Sequence, residues 1–222
     1  YNTPQQIQFI VISGRRKSLQ VLENLPHTLE HCVTPDSFQK EGVVERLIRE
    51  IDRREDGLHN GALSASNLAT IVVLLDDYDE FYQAVGSDKA VADGLTKLAK
   101  RGRDVGIHTI VSGPLPSMGV AYSDPLVAHL KLGRSGFVLR ILDVNEQNPI
   151  GLRLRAADLG KMPPGRGYIV RNGIGEMLHI GYPGEVEALE KWVSDLQARF
   201  KEYTRAMWAA EQGQLEADES SV

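Results

Sequence analysis

Asp76 and Asp77 close an apolar run, Ile71-Val72-Val73-Leu74-Leu75, and are followed by Tyr78-Asp79-Glu80-Phe81. Burying the run is favourable. Burying carboxylates is not, unless the strand delivers them to water, a cation or a ligand at its C-terminal end. The pattern has the shape of a Walker B strand. In that chemistry the first carboxylate holds the hydration shell of a nucleotide-bound Mg²⁺, and the second orients the water that attacks the γ-phosphate. Asp76 and Asp77 are the candidates for these two roles. A plainer alternative stands beside this one, because a strand of any α/β domain can end in Asp at a helix-capping turn.

Nucleotide chemistry of this kind also calls for a phosphate-binding loop, Gly-x-x-x-x-Gly-Lys-[Ser/Thr], whose amides and lysine cradle the phosphates. The sequence contains none. Gly14-Arg15-Arg16-Lys17-Ser18 is superficially similar but lacks a second glycine before the lysine, and reads as a basic turn. His27, His31 and Cys32 lie close together, yet no paired ligand spacing occurs elsewhere, so a structural or surface role fits them better than a metal site. His108 reads as a core-edge histidine.

The carboxylates need a scaffold, and 222 residues are enough for one large domain or two small ones. Hydrophobic residues make up 42% and charged residues 25%, which excludes a disordered chain and a membrane-embedded one. The single cysteine excludes a disulfide scaffold and makes a reducing, cytosolic compartment the default. The longest apolar runs are strand-sized, far short of the roughly 20 residues that cross a bilayer. The opening Tyr1-Asn2-Thr3-Pro4-Gln5-Gln6 has neither an initiator Met nor the shape of a signal peptide. The expectation is a piece excised from something longer, with any membrane anchor elsewhere.

Apolar runs at Ile7 to Ile12, Ala69 to Leu75, Ile107 to Val111 and Gly136 to Leu142 read as strands buried on both faces, which favours a parallel sheet. Val43, Val44, Leu47, Ile48 and Ile51 recur at helix spacing, as do Val91, Leu95 and Leu98. Strand alternating with helix marks an α/β domain. Tyr168 to Arg171 and Met177 to Ile180, joined by Asn172-Gly173-Ile174-Gly175, predict a hairpin that adds an antiparallel edge. Val186, Leu189, Val193, Leu196, Phe200, Tyr203 and Met207 predict one long helix. Its stripe packs on its own domain or forms a seam to a partner. The expected boundaries are a main domain over 1–183, an amphipathic helix over 184–212 and an acidic, disordered tail over 213–222.

In order along the chain, these segments resemble the FtsK/SpoIIIE family of ring-forming ATPase motors, and most closely its EccC/YukB-like branch of type VII secretion ATPases. Gln6 to Ile12 followed by Leu22-Glu23-Asn24-Leu25-Pro26-His27 is similar to the strand and "L-x-x-L-P-H" segment after the Walker A helix. Glu45 to Glu55 resembles the next helix, and Val73 to Asp79 the Walker B strand. Gly102-Arg103-Asp104-Val105-Gly106-Ile107-His108 matches a "G-R-x-x-G-I-H" signature. Asp124-Pro125, Gly136 to Leu139 and Pro163-Pro164-Gly165-Arg166-Gly167 resemble the end of the domain.

The resemblance spans about Gln6 to Tyr182 and implies a RecA-like P-loop NTPase core: a mostly parallel sheet with flanking helices and an antiparallel hairpin edge. It implies ATP and Mg²⁺ as cofactors, with hydrolysis between neighbouring domains of a tandem array or a hexameric ring. Asp76 would hold Mg²⁺ through water. Ser112 would be a polar sensor of the γ-phosphate or lytic water, against the alternative of a turn residue before Gly113-Pro114. Arg101, Arg103 and Arg134 are candidates to reach a neighbour's nucleotide, since a guanidinium spreads fixed donors over phosphate oxygens. Arg103 lies within the signature; Arg166 fits a turn-steadying role.

Two features depart from the family pattern. The Walker A segment would precede Tyr1, so this chain is expected to be inactive alone. Asp77 also stands where active motors carry Glu. The expected location is the cytosolic part of a membrane-anchored bacterial protein, with membrane contact only through other parts. Three functions follow: a type VII secretion motor acting on a secreted protein; a DNA translocase, disfavoured by the net charge of -5; or a degenerate domain that docks a partner peptide. A homo-oligomer is compatible with all three.

Overall fold

The computed structural model describes residues 2–13, 19–32, 42–85, 88–114, 124–139, 150–152 and 162–201. The chain forms two compact units, residues 1–112 with 185–222 and residues 113–184.

The first unit is built on a parallel sheet. Its strands are β1 (Ile7–Ser13), β2 (Thr28–Cys32), β3 (Thr70–Asp76) and β4 (Ile107–Val111), in the order β2-β1-β3-β4. β1 and β3 pair in continuous register from Ile7↔Thr70 to Ser13↔Asp76, and β3 pairs with β4 from Ile71↔Ile107 to Leu75↔Val111. The inner strands are nearly all apolar because a parallel sheet is covered on both faces. Ile10, Val11, Ile12, Ile71, Val73 and Leu75 are buried. β2 has no such apolar run. It is an edge strand whose Glu30 receives Arg46, from Nε at 3.1 Å and from Nη2 at 2.5 Å.

Helix α1 (Val43–His59) presents Val43, Val44, Leu47 and Ile51 to the core, at the spacing that the sequence predicts. After β3 come α2 (Tyr78–Val85) and α3 (Lys89–Arg101). Asp88 caps α3, its Oδ1 accepting from the amides of Ala90 at 2.9 Å and Val91 at 3.3 Å. α1 and α3 meet closely because Gly94 has no side chain: a Cβ there would lie 2.2 Å from Val44 Cγ1. A 3₁₀ turn, Gly102–Val105, leads into β4.

The second unit contains α4 (Pro125–Leu132) and an antiparallel sheet of β5 (Gly136–Leu139), β6 (Arg166–Arg171) and β7 (Ile174–His179), in that order. Asp124 starts α4 by accepting from the Val127 amide at 2.9 Å, with Pro125 in the first turn. Val138, Leu152, Tyr168 and Val170 form a small core with Ile150 and Met162. The hairpin exists, but its turn is tighter than predicted. Asn172 and Gly173 alone make it, both at positive φ as a type I′ turn requires. The hairpin pairs with β5 in a sheet of its own and does not extend the parallel one.

The C-terminal helix α5 covers Val186–Arg199, with Phe200 as its C-cap, and packs on the 3₁₀ segment Gln20–Asn24. Positions 203 and 207 of the expected stripe, and the tail over 213–222, lie outside the described residues. Among the described residues, no helix is long and apolar enough to cross a membrane.

Candidate functional site

Asp76 is the last residue of β3, and Asp77 follows at φ +49 before α2 begins at Tyr78. A left-handed conformation at a non-glycine residue is uncommon, and Asp tolerates it better than most. It turns the chain sharply off the strand and leaves the two carboxylates at the C-terminal edge of the parallel sheet, where ligands of open α/β sheets bind.

Ser112 fastens this turn. Its amide donates to the Leu75 carbonyl at 2.8 Å, and its carbonyl accepts from the Tyr78 amide at 2.9 Å. Its Oγ donates to Asp76 Oδ1 at 2.6 Å and receives the Asp77 amide at a long 3.4 Å. One residue at the end of β4 thus holds four consecutive residues, Leu75 to Tyr78. The hydroxyl thereby fixes one oxygen of the Asp76 carboxylate. Tyr78 is 3% exposed and faces Phe81 and Tyr82 at ring separations of 6.1 and 6.0 Å, which anchors the other side of the turn.

The fold brings Asp76, Asp77 and Ser112 together, whereas Arg101 and Arg103 lie elsewhere in the same unit. Arg101 is engaged within its own unit. Its Nε reaches Glu55 Oε1 at 3.2 Å, and its Nη2 reaches Glu55 Oε2 and Asp52 Oδ1 at 2.5 Å each. The hydrogen bonds to Glu55 and Asp52 raise its already high pKa, so it serves to clamp α3 to α1. Arg103 is exposed on the 3₁₀ turn before β4, at the end of the sheet opposite Asp76. A five-residue strand separates those two ends by about 17 Å.

Arg134 belongs to the second unit. It adopts φ +43, and its carbonyl accepts from the Gly173 amide at 2.9 Å. Its guanidinium lies against two glycines: a Cβ on Gly151 would stand 2.9 Å from its Nη2, and one on Gly173 would stand 2.5 Å from it.

His27 is structural, with Nε2 3.2 Å from the Asn2 carbonyl and its ring edge-on to Phe200 at 5.7 Å. Among the described residues, no three or more His, Cys, Asp or Glu side chains are grouped to hold a metal directly. Sequence reasoning missed Ser13, which ends β1 in register with Asp76 and is 1% exposed. The available signal was a polar residue ending the apolar run Phe9 to Ile12, as Asp76 ends its own.

No family model matches the chain. It is 27% identical over 136 residues to the DNA translocase FtsK of Oceanobacillus iheyensis, a match covering 53% of this chain and 17% of the relative. To the DNA translocase SpoIIIE of Bacillus subtilis it is 26% identical, with the same coverage. The chain therefore spans about 17% of the length of these curated relatives.

Among solved structures, it superimposes on EssC (ATPases 2 and 3) of Geobacillus thermodenitrificans with a TM-score of 0.67 at 19% identity, covering 90% of this chain and 39% of that one. It also superimposes on EccC (ATPases 2 and 3) of Thermomonospora curvata, in complex with a signal sequence peptide, with a TM-score of 0.60 at 21% identity, covering 91% and 38%. The structural likeness establishes the fold of these P-loop ATPase domains. The sequence likeness is thus to FtsK and SpoIIIE translocases, and the fold is that of the EssC and EccC ATPase domains.

Proposed function

We propose that this chain is part of an ATPase motor module of a type VII-like secretion system, coupling ATP binding and hydrolysis to the export of a protein substrate. The observation that carries the reading is the Asp76–Ser112 hydrogen bond at the C-terminal edge of the parallel sheet. In this role Asp76 holds the hydration shell of Mg²⁺ on ATP, Asp77 orients the attacking water, and Ser112 fixes the carboxylate and senses the γ-phosphate. With no phosphate-binding loop in the sequence, the site is composite. The carboxylates from this chain meet a phosphate-binding loop from another segment or subunit of the motor. Arg101 is occupied by Glu55 and Asp52, which leaves Arg103 and Arg134 as the cations able to reach a neighbouring domain's nucleotide.

Export is favoured over DNA transport because the net charge of -5 disfavours a phosphate backbone. DNA transport is the second reading, supported by the activity that the names of the sequence relatives carry. The neighbours of the module in this proposal are further ATPase domains in a ring or tandem array, in the cytosolic part of a membrane-anchored assembly.

The test is a titration of fluorescent ATP with Mg²⁺ against this chain and against the motor extended upstream of Tyr1. Binding by the extended form that is lost in Asp76→Ala supports a composite ATPase site. No binding by either form sinks the ATPase reading and points to a degenerate domain that docks a peptide. Salt-sensitive binding of duplex DNA favours the second reading over export.

A further inference from the structure

We infer that the outer face of the β5-β6-β7 sheet is the contact surface of a symmetric dimer, its occupant a second copy of this chain. Register sorts the side chains onto two faces, because directly paired residues of antiparallel strands project together. Val138, Tyr168 and Val170 point one way and form the small core of the second unit. Phe137, Leu139, Ile169, Leu178 and Ile174 point the other way. An antiparallel sheet with one solvated face alternates apolar with polar residues. This sheet is apolar on both faces. On the outer one Phe137 is 64% exposed, Leu139 49% and Ile174 71%, and a contiguous apolar patch of this kind marks an interaction surface.

The charges on that face select the occupant. It carries a cation, Arg171, and an anion, Glu176, at diagonal positions of β6 and β7. Both are exposed, and neither makes an ion pair or a side-chain hydrogen bond among the described residues. Arg171 ends β6 and Glu176 lies on the edge strand β7, so both stand at the rim of the apolar patch. A purely basic or purely acidic partner would satisfy one of them and repel the other. A second copy satisfies both: a two-fold axis passing midway between the two positions sets Arg171 of each copy against Glu176 of the other. The same axis lays Phe137 and Ile169 against their own counterparts, as an isologous contact requires. An apolar centre inside a polar rim is the anatomy of a protein interface, and the two sheets stack about 10 Å apart. The patch lies wholly within the second unit and stands apart from the ATPase reading.

The experiment is sedimentation equilibrium on the intact chain over about 1 to 200 µM, with a melting curve recorded on each variant. Wild type is expected to pass from one chain to two within that range. Phe137→Glu, at an exposed position, should weaken association by about 10-fold or more and leave the melting curve unchanged. Arg171→Glu alone and Glu176→Arg alone set like charges across the contact and should each weaken it to the same extent. Mixed in equal amounts, these two variants should associate about as tightly as wild type, because every cross-contact is again a cation against an anion. That recovery decides the matter even if Phe137→Glu folds poorly. A single chain throughout the range overturns the inference, as does a dimer that Arg171→Glu and Glu176→Arg leave unweakened or that their mixture fails to restore. The face would then serve another part of the motor or a different protein.

Discussion

Arg54 Nε donates to Glu50 Oε1 at 2.6 Å, with both side chains 3% exposed. The same guanidinium extends Nη1 to the carbonyls of Ala69 and Val105, each at 2.9 Å. Those carbonyls lie just before β3 and within the turn before β4. One buried arginine on α1 therefore sets where both site-bearing strands begin, and through their registers where Asp76 and Ser112 end up.

Arg54→Met removes the buried charge, leaves Glu50 to Arg53 alone and strands two carbonyls. Unpairing a buried ion pair costs about 3–5 kcal/mol. Denaturant unfolding should show a loss of that size, and pairing Arg54→Met with Glu50→Leu should recover part of it. A loss under about 1 kcal/mol, the scale of a surface pair, would contradict the structural role.

Burial pushes the Glu50 carboxyl up, but hydrogen bonds from Arg53 and Arg54 outweigh it and leave its pKa below the ordinary 4.5. A carboxyl with a lowered folded-state pKa adds stability that is present above the unfolded value and lost as pH falls through the folded one. Urea midpoints should therefore drop as pH falls below about 4.5, with Glu50→Gln showing a shallower drop over the same range. Identical slopes would show that Glu50 does not drive the acid transition.

Gly94→Ala forces a methyl group against Val44 Cγ1, which lies 2.2 Å from where the Cβ would stand. Overpacking of this kind costs about 1–3 kcal/mol. The companion Val44→Ala should relieve it, so a double-mutant cycle should report strong coupling between α1 and α3. Additive effects would mean that the helices separate freely.

Gly173→Ala meets the Arg134 guanidinium at 2.5 Å and carries the strain of φ +80 at a non-glycine residue. Hydrogen exchange should accelerate at the β6–β7 turn and leave the β1–β3 amides unchanged, because the two compact units hold them separately. Acceleration throughout the chain would contradict that division.

Ser112→Ala removes a hydroxyl at an exposed site, so the melting temperature should move by no more than about 2 °C. In the assembled motor proposed above, ATP hydrolysis should fall by about 10-fold or more, the scale of losing one positioning hydrogen bond in a catalytic site. Full activity in this variant would remove Ser112 from the site.

Much of this was legible in the chain. The apolar runs that became β1, β3 and β4, and the helix stripes of α1 and α3, are periodic signals set by burial on two faces or one. β2 was not legible, because Thr28-Leu29-Glu30-His31-Cys32 interrupts its apolar residues with Glu30 and His31 and shows no continuous apolar run. The parallel and antiparallel sheets could not be told apart as separate bodies either, since strand patterns record faces and not partners.

The two carboxylates announced themselves by chemistry, since Asp76 and Asp77 end an apolar run that has no reason to hold charge unless it emerges at an edge. Residue types and spacing thus determined the α/β class, the elements and the acidic strand end. Only the tertiary structure decided the rest, because hydrogen-bond partners are chosen by register and loop closure across tens of residues. It set Ser112 on Asp76 from 36 positions away and placed Ser13 in the adjoining row. It also spent Arg101 on Glu55 and Asp52, which identical spacing in sequence would have left free to act elsewhere.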